Sequence, residues 1–257
     1  MGSIGTGVRN SLTKYDLSAS TYAPDGRIFQ VEYAMKAVEN SGTCIGIKAV
    51  DGIVLAHEKL ITSKLLVSQS NNRIQTIDTH IGFVAAGLLA DSRHLAGRAR
   101  EEAESYKNIY RQPIPSMMIA KRVAGYVSAF TLYSSVRPFG LASIIGSVDV
   151  HGPALYMFEP SGLYYGYNAT AVGKGSTLAK TELEKLDFST LTCEEAVKHA
   201  ARIMYLVHDD AKDKDFELEL TWISPQSGNK HKVVPKELKD EAERLAKAAL
   251  DDGMDED

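Results

Sequence analysis

Apolar residues along this chain follow two rhythms, one helical and one strand-like, and the rhythms alternate in blocks. The first helical block opens after Pro24-Asp25-Gly26. Ile28, Val31, Met35 and Val38 stand at i, i+3, i+7 and i+10, one stripe of a helix over about 27–39. Glu32 and Lys36 pair at i, i+4 on its other side. Cys44, Ile45 and Ile47, the turn Asp51-Gly52 and the run Ile53 to Ala56 then predict a hairpin over 43–56. After a polar connector, strands are expected at about 74–78 and 81–86. Helices follow at 89–110 and about 116–133, divided by Pro113 and Pro115.

A second group of strands covers 141–147, 155–158, 163–167 and 169–172, and helices at 176–186 and 193–208 come next. Residues 216–223 alternate with period two, which predicts a strand with one buried face. A short strand near 232–234 and a helix over 235–250 complete the pattern. This order predicts an α+β fold in which two antiparallel sheets lie between helical layers. No repeat or linker divides the chain, so 24–250 is expected to be one domain. The small, polar residues 1–23 are expected to form a flexible tail, and the acidic residues 251–257 a second one.

Composition narrows the chemistry. The chain has 257 residues, 44% of them hydrophobic, enough for a sizeable core, and its net charge of −4 favours neither nucleic acid nor an anionic membrane as partner. Cys44 and Cys193 have no metal-ligand spacing and suggest no disulfide framework, which favours a reducing compartment. No apolar run is long enough to span a bilayer, and no secretory h-region is present. Met1-Gly2 with Thr6 fits a myristoylation start only weakly.

Several motif-like stretches have plainer readings. Gly173-Lys174-Gly175-Ser176 lacks the first glycine and the hydroxyl position of a phosphate loop, and reads as a strand-to-helix turn. The seven histidines never take zinc-ligand spacing, and no G-x-S-x-G elbow occurs. Tyr164-Tyr165-Gly166-Tyr167 reads as strand packing rather than a stacking platform. No metal and no cofactor are expected.

Thr43 is the one candidate nucleophile. A threonine at a strand start can act covalently if its own free α-amino group serves as base, since an amine of pKa about 8 can take up a proton and an amide nitrogen cannot. Forty-two residues precede Thr43. Cleavage before it would make a self-processing threonine hydrolase; a retained leader would leave a structural residue.

Tyr15-Asp16 and the run Ala23-Pro24-Asp25-Gly26-Arg27-Ile28-Phe29-Gln30-Val31-Glu32-Tyr33-Ala34 resemble the N-terminal signature of proteasome alpha subunits. Gly42-Thr43, Asp51-Gly52 and Gly87-Leu88 continue the match, and the element order fits it from about Tyr15 to Leu250. The resemblance implies the N-terminal-nucleophile hydrolase fold, a four-layer α-β-β-α sandwich. It implies a non-catalytic place in an outer ring of the 20S core particle, among other alpha and beta subunits, in cytoplasm and nucleus.

By position, Gly42 rather than Thr43 matches the nucleophile of the catalytic relatives. Glu58 matches their acidic partner, and Arg73 their catalytic lysine. Arginine stays charged and makes a poor proton shuttle. The resemblance also implies that Tyr15, Asp16, Pro24 and Tyr33 form the cluster of an open gate. Residues 1–14 would then plug the pore, and Arg73 would receive C-terminal carboxylates of regulatory particles or activators. Val8 to Lys14 are an insertion relative to the resembled pattern and add two positive charges.

Overall fold

The computed structural model describes residues 15–208 and 215–254; most of the expected gate tail (1–14) and the last three residues of the acidic tail lie outside these. The elements are α1 (Phe29–Glu39), β1 (Cys44–Lys48), β2 (Ile53–Leu60), β3 (Gln75–Asp78), β4 (Ile81–Gly87), α2 (Leu89–Tyr110) and α3 (Ser116–Ala129). Then come β5 (Leu141–Asp149), β6 (Gly152–Phe158), β7 (Tyr164–Gly166), β8 (Ala169–Val172), α4 (Ser176–Leu183) and α5 (Cys193–Val207). β9 (Phe216–Ile223), a short 3-10 turn, β10 (Lys232–Val233) and α6 (Lys236–Met254) follow.

Two five-stranded sheets form, in the orders β10-β9-β2-β1-β8 and β3-β4-β5-β6-β7, with every pairing antiparallel. Alternation along each strand builds three apolar layers. On β1 and β2, Ile45, Ile47, Val54 and Ala56 face α4, α5 and α6. On β4 and β5, Ile81, Phe83 and Ile145 face α2 and α3. Cys44, Ile53 and Leu55 meet Val84, Ile144 and Leu155 between the sheets, and Val38 of α1 closes one end of that layer. The result is the expected four-layer α-β-β-α sandwich. Both faces of the central strands are buried, which explains their unbroken apolar runs.

The sheets approach closely where they carry glycine. A Cβ on Gly146 would stand 2.3 Å from Ile53 Cγ2, and one on Gly46 2.8 Å from Ile144 Cγ2.

Several boundaries differ from the periodicity. Chain order groups β8 with the second strand cluster, yet it pairs with β1 in the first sheet, Cys44 opposite Val172. α3 ends at Ala129 and α4 at Leu183, short of the expected 133 and 186. At both ends i→i−3 bonds take over, from Phe130 to Val127 and from Leu186 to Leu183, and tighten the last turn. β9 has one buried face only in its first half; from Leu220 onward it is buried on both sides. α6 runs on to Met254, through the first four residues of the expected acidic tail. Each residue added to an existing helix gains a backbone bond without a new nucleus.

Candidate functional site

The Thr43 end of β1 is closed. Thr43 has no exposed surface, and its backbone N–H donates to Glu58 Oε2 at 2.9 Å. Its hydroxyl oxygen accepts from the backbone N–H of Gly175 at 3.0 Å. Glu58 Oε1 lies 2.6 Å from His208 Nδ1, and both side chains are almost fully buried. An amide nitrogen has no lone pair to offer as base, and a sealed hydroxyl reaches no substrate.

The preceding segment is packed too. Ser41 N–H and Oγ–H both donate to Val38 O, while Ser41 O accepts from Lys174 N–H. At Gly42, which lacks a hydroxyl, a Cβ would stand 2.2 Å from Glu58 O. The arrangement can bind the two sheet strands to the start of α4, and it cannot perform threonine-type hydrolysis.

The expected gate residues are brought together in part. Tyr33, on α1, donates to Asp16 Oδ2 at 3.3 Å, and Gln30 Nε2 donates to Asp16 O. Partial desolvation and the Asp16 charge raise the Tyr33 phenol above its ordinary range. Pro24 is exposed in a turn closed by Gly26 N–H to Ala23 O at 2.8 Å, with Gly26 at a φ of +81°. Tyr15 is half-buried. Of these four residues, only Asp16 and Tyr33 are hydrogen-bonded to each other.

Arg73 lies just before β3. Its backbone N–H donates to Glu219 at 2.8 Å, and its Nε is buried with no partner among the described residues. Its charge acts on Cys44 and His57, whose side chains point between the sheets. Arg73 therefore sits beside the Thr43 end of the sandwich, at the position expected to match the catalytic lysine.

Sequence reasoning missed the groups that hold this segment, Glu217 and Glu219 of β9. The Glu-Leu-Glu-Leu alternation of 217–220 sets both carboxylates on one face; only the tertiary contact says what they meet.

Two buried imidazoles make stability pH-dependent. Burial lowers His57 to about 3, with Arg73 and Lys59 adding to the shift, and burial lowers His231 to about 4. Below about 6.5 the unfolded imidazoles take up protons while the folded ones stay neutral, so stability falls as pH drops from about 6.5 toward 4. The slope is about 1.4 kcal/mol per pH unit for each histidine. Glu219, raised by its own burial, opposes this modestly. Urea titrations between pH 7.5 and 5 should show the decline, and a flat profile would exclude neutral buried imidazoles.

Comparison with known proteins agrees with this architecture. A family profile described as "Proteasome subunit" matches residues 38–223, and a second, for the N-terminal signature of A-type proteasome subunits, matches residues 15–37. The chain is 55% identical over 252 residues to "Proteasome subunit alpha type-3" of Dictyostelium discoideum, covering 98% of this chain and 99% of the relative. It is 53% identical over 257 residues to the protein of that name from Oryza sativa subsp. japonica, covering all of both chains. With "Probable proteasome subunit alpha type-7" of Saccharomyces cerevisiae it shares 56% over 246 residues, 94% of this chain and 83% of the relative. With the signature at 15–37, the sandwich and the occupied threonine in agreement, the chain belongs to the proteasome alpha-subunit family.

Proposed function

We propose that this chain is a non-catalytic member of an outer ring of the 20S core particle. Its N-terminal segment gates substrate admission, and Arg73 receives the C-terminal carboxylates of regulatory particles or activators. Its neighbours are other proteasome alpha and beta subunits, in cytoplasm and nucleus, and the particle serves ubiquitin-dependent and ubiquitin-independent degradation. The observation that carries this reading is the Tyr33–Asp16 hydrogen bond, which ties the N-terminal segment to α1. A segment held at Asp16 by two hydrogen bonds, from Tyr33 and Gln30, has two discrete arrangements available, bound and released. The sealed Thr43 supports a role without catalysis, and the half-buried Arg73 supplies a guanidinium suited to bidentate recognition of a carboxylate.

Core particles carrying Tyr33→Phe test the gate. Loss of one hydrogen bond of about 1 kcal/mol shifts a two-state equilibrium roughly fivefold. Activator-stimulated hydrolysis of a fluorogenic peptide should fall by about that factor, with the unstimulated rate unchanged. Stimulation equal to that of the unaltered particle would remove Tyr33 from the gate.

A further inference from the structure

We propose that Glu219 is the positioning residue of Arg73: it holds the arginine by its backbone and leaves the guanidinium available for an incoming carboxylate. The proposal rests on the reading of Arg73 as a carboxylate-binding cation.

Glu217 and Glu219 stand two residues apart on β9 and so share a face. Glu217 Oε1 accepts from Gln69 N–H at 2.9 Å and from Ser68 Oγ at 3.1 Å, while Oε2 accepts from Lys59 Nζ at 3.0 Å. Glu219 Oε2 accepts from Arg73 N–H at 2.8 Å and from Ile74 N–H at 3.1 Å. One carboxylate thus fastens the beginning of the 68–74 segment and the other its end. Between the two anchors, Gln69 and Asn71 both take a φ of 59°, a left-handed conformation that side-chain-bearing residues seldom adopt. Asn71 Oδ1 also accepts from Arg93 Nη2 of α2 at 2.6 Å. A segment with two such residues keeps its shape because its ends are fixed from outside.

How Glu219 binds matters as much as where. A carboxylate facing a guanidinium forms a bidentate ion pair and neutralises it. Glu219 instead spends its oxygens on two main-chain N–H groups, and no side-chain ion pair joins it to Arg73 among the described residues. Arg73 itself is half-buried, so part of its side chain meets the surface. Main-chain capture fixes where the Arg73 side chain begins without tying up its guanidinium in an ion pair with Glu219.

The test uses core particles containing this chain and a heptapeptide from an activator C-terminus, supplied as free acid and as C-terminal amide. Binding to this chain is read by photocrosslinking. The unaltered particle should prefer the acid by roughly tenfold or more, as expected for a charge-assisted hydrogen bond. Arg73→Ala should abolish that preference. Glu219→Ala should abolish most of it, and the double variant should lose no more than Arg73→Ala alone. Glu219→Gln, which keeps one acceptor oxygen, should give an intermediate ratio and carries the test if Glu219→Ala does not assemble. A merely structural role would weaken acid and amide alike and leave their ratio intact. Full acid preference in the Glu219 variants, with loss in Arg73→Ala, overturns the positioning role. Full preference in Arg73→Ala overturns the reading of Arg73 itself.

Discussion

Replacing Glu58 with alanine should destabilise the chain by about 3–5 kcal/mol, the cost of removing one partner from a buried polar network. Two groups depend on this carboxylate: the Thr43 N–H at 2.9 Å and His208 Nδ1 at 2.6 Å. Neither Glu58 nor His208 has meaningful contact with solvent, so water does not replace the lost acceptor. Unsatisfied buried groups cost about 1–3 kcal/mol each, and the cavity left by the missing carboxyl adds to that. Glu58→Gln keeps the volume and one acceptor and should cost about half as much. Urea titration of the purified chain at pH 7.5 measures both. A loss under about 1 kcal/mol for Glu58→Ala would mean that the network contributes little.

Gly42→Thr should make the protein less stable and leave it inactive. It supplies a hydroxyl at the position that resemblance matches to the nucleophile of catalytic relatives. Any Cβ at residue 42 would stand 2.2 Å from Glu58 O and 3.4 Å from its carbonyl carbon. Strand β2 or the 41–43 segment would have to yield, at about 3 kcal/mol for alanine and more for the branched threonine. The nitrogen of residue 42 would remain an amide, so no base would accompany the new hydroxyl. Peptide hydrolysis above background by this variant would contradict the assignment of the site as structural. A melting temperature equal to that of the parent would contradict the packing.

Much of the fold is legible in the sequence because local rhythms decide local structure. The stripe from Ile28 to Val38 predicts α1, although Phe29 and Ala34, rather than Val31 and Met35, are buried with Val38. Asp51-Gly52 turns β1 into β2. Strand partnership is less legible. Nothing in Ala169 to Val172 says that these residues leave the cluster around β5 and pair with Cys44 to Ile47, since an apolar strand carries no address. The site divides in the same way. Gly42 at the nucleophile position is visible by resemblance, whereas Glu58 as acceptor for Thr43 needs β1 and β2 set in register. Glu219 is less visible still, because its partners Arg73 and Ile74 belong to a connector with no rhythm of its own.

The strand order of the first sheet also bears on how the chain is made. β1 and β2 are neighbours in sequence, but β8 and β9, which cover their outer edges, both come from the second half of the sequence. During synthesis at roughly 5–20 residues per second, that hairpin waits with two bare edges until its neighbours emerge. Bare apolar edges recruit foreign strands. The newborn chain is therefore most vulnerable to misassociation before Ile223 has left the ribosome, and anything that shields the β1–β2 edges until then would raise the yield of ring-competent subunits.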